Sequence, residues 1–239
     1  MGLAGSASPA TLVALAGHAS PRVRLAAVVA LRRLADGVGL ATFLDDADLG
    51  VAAEAARAIF DADLVGAWPA LADRVASGPP DEAFLRRAVA AAEDRGSSAD
   101  VAELLALAGR HDAPATMRAL ALETLRTWAA PPSRSRVHGR LNPIPARDAA
   151  GVREALDRAL PDLLASNLDD ALRAALLEAA AELGVAKVAP LLADQARDRS
   201  RSPSSRAEAL ARLDRLGDAI ADADRLLTDD SPVVRSAAR

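Results

Sequence analysis

Apolar residues recur along this chain at helical spacing. From Leu172 they fall at Ala175, Leu176, Ala179 and Leu183, the i, i+3, i+4, i+7 stripe of a helix with one buried face. From Val23 they fall at Ala26, Ala27, Ala30, Leu31 and Leu34. Leu25, Val28 and Val29 widen that second face, so the helix is expected to touch neighbours on two sides. One pattern repeats: an apolar helix end, a short polar turn, then an arginine followed by small and large aliphatics. It appears as Ser20-Pro21-Arg22-Val23-Arg24-Leu25 and as Ser231-Pro232-Val233-Val234-Arg235. Between them come Leu49 to Ala56, Met117-Arg118-Ala119, Leu172-Arg173-Ala174 and Ser205-Arg206-Ala207. The step from Arg173 to Arg206 is 33 residues, a length typical of two-helix repeats.

The turns carry helix-start chemistry. Ser20, Asp48 and Ser231 stand at N-cap positions, and Pro21 and Pro232 follow where a missing N–H costs nothing. Pro69, Pro161 and Pro190 each stand in an apolar run, which predicts a repeated bend in the first helix of each pair. The pattern divides the chain into seven hairpins, at about 8–36, 39–62, 64–96, 98–130, 151–183, 185–217 and 218–239. Residues 1–130 and 151–239 thus form one continuous array, interrupted at 131–150. The last hairpin stops in its second helix, which suggests part of a longer array or a truncated product. Leu226, Leu227, Val233 and Val234 are accordingly expected to be less buried than their counterparts in hairpin one.

Composition agrees with an all-α protein. Hydrophobic residues make up 51% of the chain, but only 2% are aromatic; Ala, Leu and Val dominate and suit closely packed helices. The formal net charge of −4 and a single Lys (Lys187) argue against a nucleic-acid binder. Cysteine is absent, which excludes disulfides, thiolate catalysis and Cys-ligated metal within the chain. There is neither a signal-peptide pattern nor a run of about 18 uncharged apolar residues, so no membrane insertion is expected.

Leu226-Leu227-Thr228-Asp229-Asp230-Ser231-Pro232-Val233-Val234-Arg235 resembles the HEAT-repeat signature: paired leucines, an acidic turn, Val-Arg, then small residues. Leu44-Asp45-Asp46 with Val51 and Ala55-Ala56 resembles it less, since Ala52 replaces the arginine; Phe84-Leu85-Arg86-Arg87 is weaker still. The resemblance implies an α-α superhelix, a right-handed HEAT/ARM-type solenoid that presents a surface and has no catalytic residue, cofactor or metal site. The insertion, from Trp128 through Pro131, Arg136-Val137, Gly139, Leu141, Pro143 and Arg147-Asp148, is similar to one in the HEAT region of large planctomycete-type bacterial proteins. Those proteins join a dehydrogenase-like propeller, HEAT repeats and a c-type haem domain. The family's acidic residue before Arg-Val is Ser135 here, and the haem-attachment motif is missing. The implied role is a connecting scaffold that contacts a protein or another domain of the same polypeptide, in an exported or periplasmic parent. A phycobilin lyase-like HEAT protein is the alternative.

The candidate partner-binding residues are Trp128, Arg134, Arg136, His138, Arg140 and Arg147. Four arginines and no acid lie between Pro131 and Arg147, on a segment that its prolines should keep extended. Val137, Leu141 and Ile144 are expected to pack beneath the arginines. Whether the segment is a docking arm or a structural strap stays open at this level. The repeated Arg24, Arg118, Arg173, Arg206 and Arg235 either line an anion-binding face or tie each repeat to a turn carboxylate such as Asp46 or Asp229. His18 holds the turn position of those aspartates, and His18, His111 and His138 are too far apart for a metal site.

Overall fold

The computed structural model describes residues 8–166, 168–217 and 223–238. Among these residues the regular structure is helical, with one isolated antiparallel bridge and no strand. The chain divides into two compact units, Met1–Asp148 and Ala149–Arg239.

The first unit holds α1 (Pro9–Ala14), α2 (Pro21–Arg33), α3 (Gly37–Ala41), α4 (Leu49–Phe60), α5 (Trp68–Ala72), α6 (Glu82–Arg95), α7 (Ser98–Gly109) and α8 (Ala115–Arg126). Consecutive helices pack together, and α2, α4, α6 and α8 also touch in series, making one inner row. The row forms because its helices are apolar on more than one stripe: α4 buries eight residues, from Val51 to Phe60. Phe43, Phe84, Leu31, Ile59 and Met117 are almost fully enclosed between the rows. The second unit holds α9 (Ala150–Ala165), α10 (Asp170–Glu182), α11 (Val188–Arg197), α12 (Pro203–Leu216), α13 (Ala223–Leu227) and α14 (Pro232–Ala237), and there α10, α12 and α14 form the row.

The repeated arginines act as ties. Arg24 donates to Asp46, in the turn before α4, at 2.6 and 2.7 Å, and to the carbonyls of His18 and Ala19 at 2.8 and 3.3 Å. Arg206 does the same in the second unit, holding Asp229 at 2.5 and 3.3 Å and the Ala196 carbonyl at 2.9 Å. Arg235 reaches the carbonyls of Asp229 and Asp230, Arg173 that of Leu164, and Arg118 that of Ala108. Each guanidinium satisfies carbonyls that a helix end or turn would leave open. Among the described residues Arg118 has no carboxylate to complete the tie, and its Nη2 is buried without a partner. His18 does occupy the aspartate's turn role: its Nδ1 accepts the Ser20 amide as Asp46 accepts that of Asp48 and Asp229 that of Ser231.

Several local expectations need correction. Only Pro161 lies inside a helix; Pro69 and Pro190 fall in the first turns of α5 and α11, where no hydrogen bond is lost, so there is no repeated bend. Ser20 and Ser231 stand at N-caps but their hydroxyls accept no first-turn amide, whereas Asp48 caps with its side chain, accepting from Gly50 and Val51. Leu25 and Val29 are more than one-third exposed, so α2 is narrower in its buried face than expected. Leu226 and Val234 are buried, drawn in by the packing of α14 on α12, while Leu227 and Val233 stay exposed.

Candidate interaction surface on the insertion

After α8 the chain reaches Pro131 and Pro132, which cannot continue a helix. The prolines do not produce one extended path. The segment doubles back: the Asn142 amide donates to the Ser133 carbonyl, and the Ser135 amide to that of Arg140, both at 2.9 Å. Gly139, in the left-handed region at φ 67°, makes the turn between them. Lower down, the Arg147 amide donates to the Ala129 carbonyl at 3.1 Å and closes the two ends on each other. The result is a loop with a root and a tip.

The root is built into the helices. Trp128 is 3% exposed, and the Arg147 guanidinium lies 3.9 Å from its ring centroid while Nε donates to its carbonyl at 3.1 Å. Arg147 passes over the end of α6, where Gly96 caps the helix at φ 65°; a Cβ there would stand 1.9 Å from Arg147 Nη1. Burial lowers the pKa of Arg147, and its Nη2 is enclosed without a hydrogen-bond partner. Arg136 donates from Nε to Glu93 Oε1 at 3.1 Å and from Nη2 to Thr127 Oγ1 at 2.7 Å; its Nη1 lies 3.8 Å from Glu123. Glu93 is 4% exposed. Burial pushes its carboxyl above the usual range, and the charge and hydrogen bond of Arg136 offset that only in part.

The tip faces outward. The Arg140 side chain is 65% exposed and lies 3.7 Å from Asp63, which is also exposed. Arg134 is exposed and donates to the Gly139 carbonyl at 3.0 Å. His138 is exposed, with its ring 5.9 Å from that of Phe60, which stacks on Trp68 at 4.8 Å. Leu141 is 71% exposed, contrary to the expectation that it packs beneath the arginines; Val137 and Ile144 are half-buried. The backbone bridge from Arg134 to Leu141 holds Leu141 at the edge of the turn, away from the helices.

The six residues singled out in the sequence therefore separate. Trp128, Arg136 and Arg147 fasten the loop; Arg134, His138 and Arg140 are presented by it. Sequence reasoning missed the receiving residues, Glu93, Thr127 and Gly96. Glu93 carried a signal, since it stands four residues after buried Val89 and ends the apolar run Ala88–Ala92. An acid on a buried face calls for a cation, and the acid-free insertion supplies it.

Compared with known families and characterised proteins, the chain matches no family model and shows no significant similarity to a characterised sequence.

Proposed function

We propose that this chain is a HEAT-type helical solenoid acting as a non-catalytic scaffold, and that the insertion tip engages a carboxylate-bearing protein surface. That surface belongs to a separate protein or to another domain of the same polypeptide. The array reading is supported by the helices falling in consecutive pairs, by the inner row within each unit, and by arginine–aspartate ties at the recurring motif. The docking reading rests on one observation. The insertion spends Arg136, Arg147 and Trp128 on fixing itself, which leaves Arg134, His138 and Arg140 displayed on a turn that is already ordered. Ordering the turn beforehand lowers the entropy cost of binding. Exposed arginines beside an exposed leucine match a partner patch of carboxylates around an apolar contact.

The test uses a photo-crosslinking amino acid at position 141 in the native host, with charge-reversed Arg134→Glu/Arg140→Glu as the comparison. One defined crosslinked partner is expected, lost on charge reversal without a change in melting temperature. Crosslinking that survives charge reversal, or none above that from a label at Arg153 on α9, removes the docking reading.

A further inference from the structure

The second unit contains a cleft of about 290 Å³ lined by the apolar Leu164, Leu177 and Leu191 and, among polar residues, by Arg173, Asp194 and Gln195. Leu164 comes from α9, Arg173 and Leu177 from α10, and the other three from α11. The cleft lies where the arginine tie is incomplete. In the ties of Arg24 and Arg206 the aspartate stands two residues before the N-cap of the following helix: Asp46 before Asp48, and Asp229 before Ser231. The N-cap of α12 is Ser202, so the neutral Ser200 holds that place. Arg173 donates to the Leu164 carbonyl at 3.2 Å and forms no ion pair with a described residue. Arg118, which also lacks a carboxylate, is enclosed at 6% exposure, whereas Arg173 is half-buried and lines the cleft.

Two further charges line the cleft and serve each other. Asp198 accepts the Ser200 amide and hydroxyl at 3.0 and 2.6 Å, and lies 3.3 Å from Arg201. Arg201 also lies 3.8 Å from Asp170. That leaves one cation, Arg173, and one anion, Asp194, to act on a ligand. Asp194 lies 3.5 Å from Arg197 with its side chain 80% exposed, a contact that water screens. Gln195 is 8% exposed and fixed: its Nε2 donates to the Ser205 hydroxyl and carbonyl at 2.9 and 3.3 Å. Its Oε1 has no donor among the described residues.

We infer that this cleft binds a free aliphatic amino acid: its carboxylate on Arg173, its ammonium on Asp194 and the Gln195 amide oxygen, and its side chain against Leu164, Leu177 and Leu191. The ligand carboxylate takes the part that Asp46 and Asp229 play in the ties of Arg24 and Arg206, since a guanidinium fork matches a carboxylate. A ligand of both charges suits a cleft that offers one of each. Three leucines with a few placed polar groups are the usual make-up of a small-molecule site. Pockets for drug-sized ligands start at about 300 Å³, so the volume selects a ligand no larger than a single amino acid with a branched aliphatic side chain.

Calorimetry on the full chain tests this with leucine, N-acetylleucine and leucinamide as probes. Leucine is expected to bind, and each blocked form to bind about tenfold more weakly, the loss of one charge-assisted hydrogen bond. Asp194→Asn should weaken leucine about tenfold and leave N-acetylleucine, which has no ammonium, unchanged. Arg173→Gln should weaken leucine and leave leucinamide, which has no carboxylate, unchanged. Arg173 also holds the Leu164 carbonyl, so its variant can unsettle the fold; the Asp194 variant alters an exposed side chain and should keep the ligand-free melting temperature. No binding at millimolar leucine overturns the inference. So does N-acetylleucine or leucinamide binding as tightly as leucine, since one charge then suffices, or leucine binding that Asp194→Asn leaves unchanged.

Discussion

Arg136 and Arg140 stand four residues apart on one loop and do opposite things. Arg136 is mostly buried, gives hydrogen bonds to two helices and balances a carboxyl with almost no access to water. Arg140 is mostly exposed and has one distant, exposed acid nearby. Residue type therefore says little about role on this loop; the partner and its access to water decide it.

The sharpest way to break the comparison is to remove each arginine. Arg136→Ala leaves Glu93 enclosed without its cation and should cost on the order of 3 kcal/mol, the lower end for stripping one member of a buried pair. Arg140→Ala should stay within about 0.5 kcal/mol. Urea unfolding checks both, and equal losses at the two positions would erase the distinction between root and tip.

A smaller effect is expected where the root meets α6. Gly96→Ala places a side chain in a left-handed conformation and drives it into Arg147. The backbone alone should cost about 1–2 kcal/mol, with Arg147 displaced as well. Proteolysis within 131–147 should then speed up. An unchanged cleavage rate would mean that Arg147 does not hold the loop.

The smallest effect is one of pH, and it has opposite signs at two carboxyls. Glu93 has its folded pKa above its unfolded value. Its contribution is present below the usual glutamate range and is lost as pH rises through the folded pKa. At Asp46 burial alone would raise the pKa, but the Arg24 hydrogen bonds, the Asp48 amide and the Arg24 charge outweigh it. Its contribution is present above the usual aspartate range and is lost as pH falls through the folded pKa. Relative to Glu93→Gln, the wild-type protein should lose stability as pH rises from about 4 to 7; relative to Asp46→Asn it should hold its advantage there and lose it as pH falls below about 4. A Glu93 series flat above pH 4, or an Asp46 series flat below it, would contradict the assignment.

Periodicity made the helices legible, since the stripe at Leu172, Leu176 and Ala179 is buried where a 3.6-residue period places it. The turn chemistry was legible as well: His18, Asp46 and Asp229 share a role that their spacing from the following helix announces. The bends were misjudged because a proline in an apolar run looks alike at the first turn and in the middle of a helix. Only the start of α5 or α11 tells the two apart. The insertion was visible as a break in the repeat and as a run of arginines without acid. Its division into root and tip was hidden, because Glu93 lies 43 residues before Arg136 and nothing local joins them.

The placement of Trp128 has a practical consequence for spectroscopy. The chain has two tryptophans and no tyrosine, so its ultraviolet emission comes almost wholly from two indoles. One is stacked on Phe60 and the other lies beneath the Arg147 guanidinium at the loop's root. With Trp68 replaced by Phe, a single emitter remains at the point where the insertion is fastened. Its emission maximum and its accessibility to a quencher then give a direct optical readout of whether the loop is seated, with no added dye.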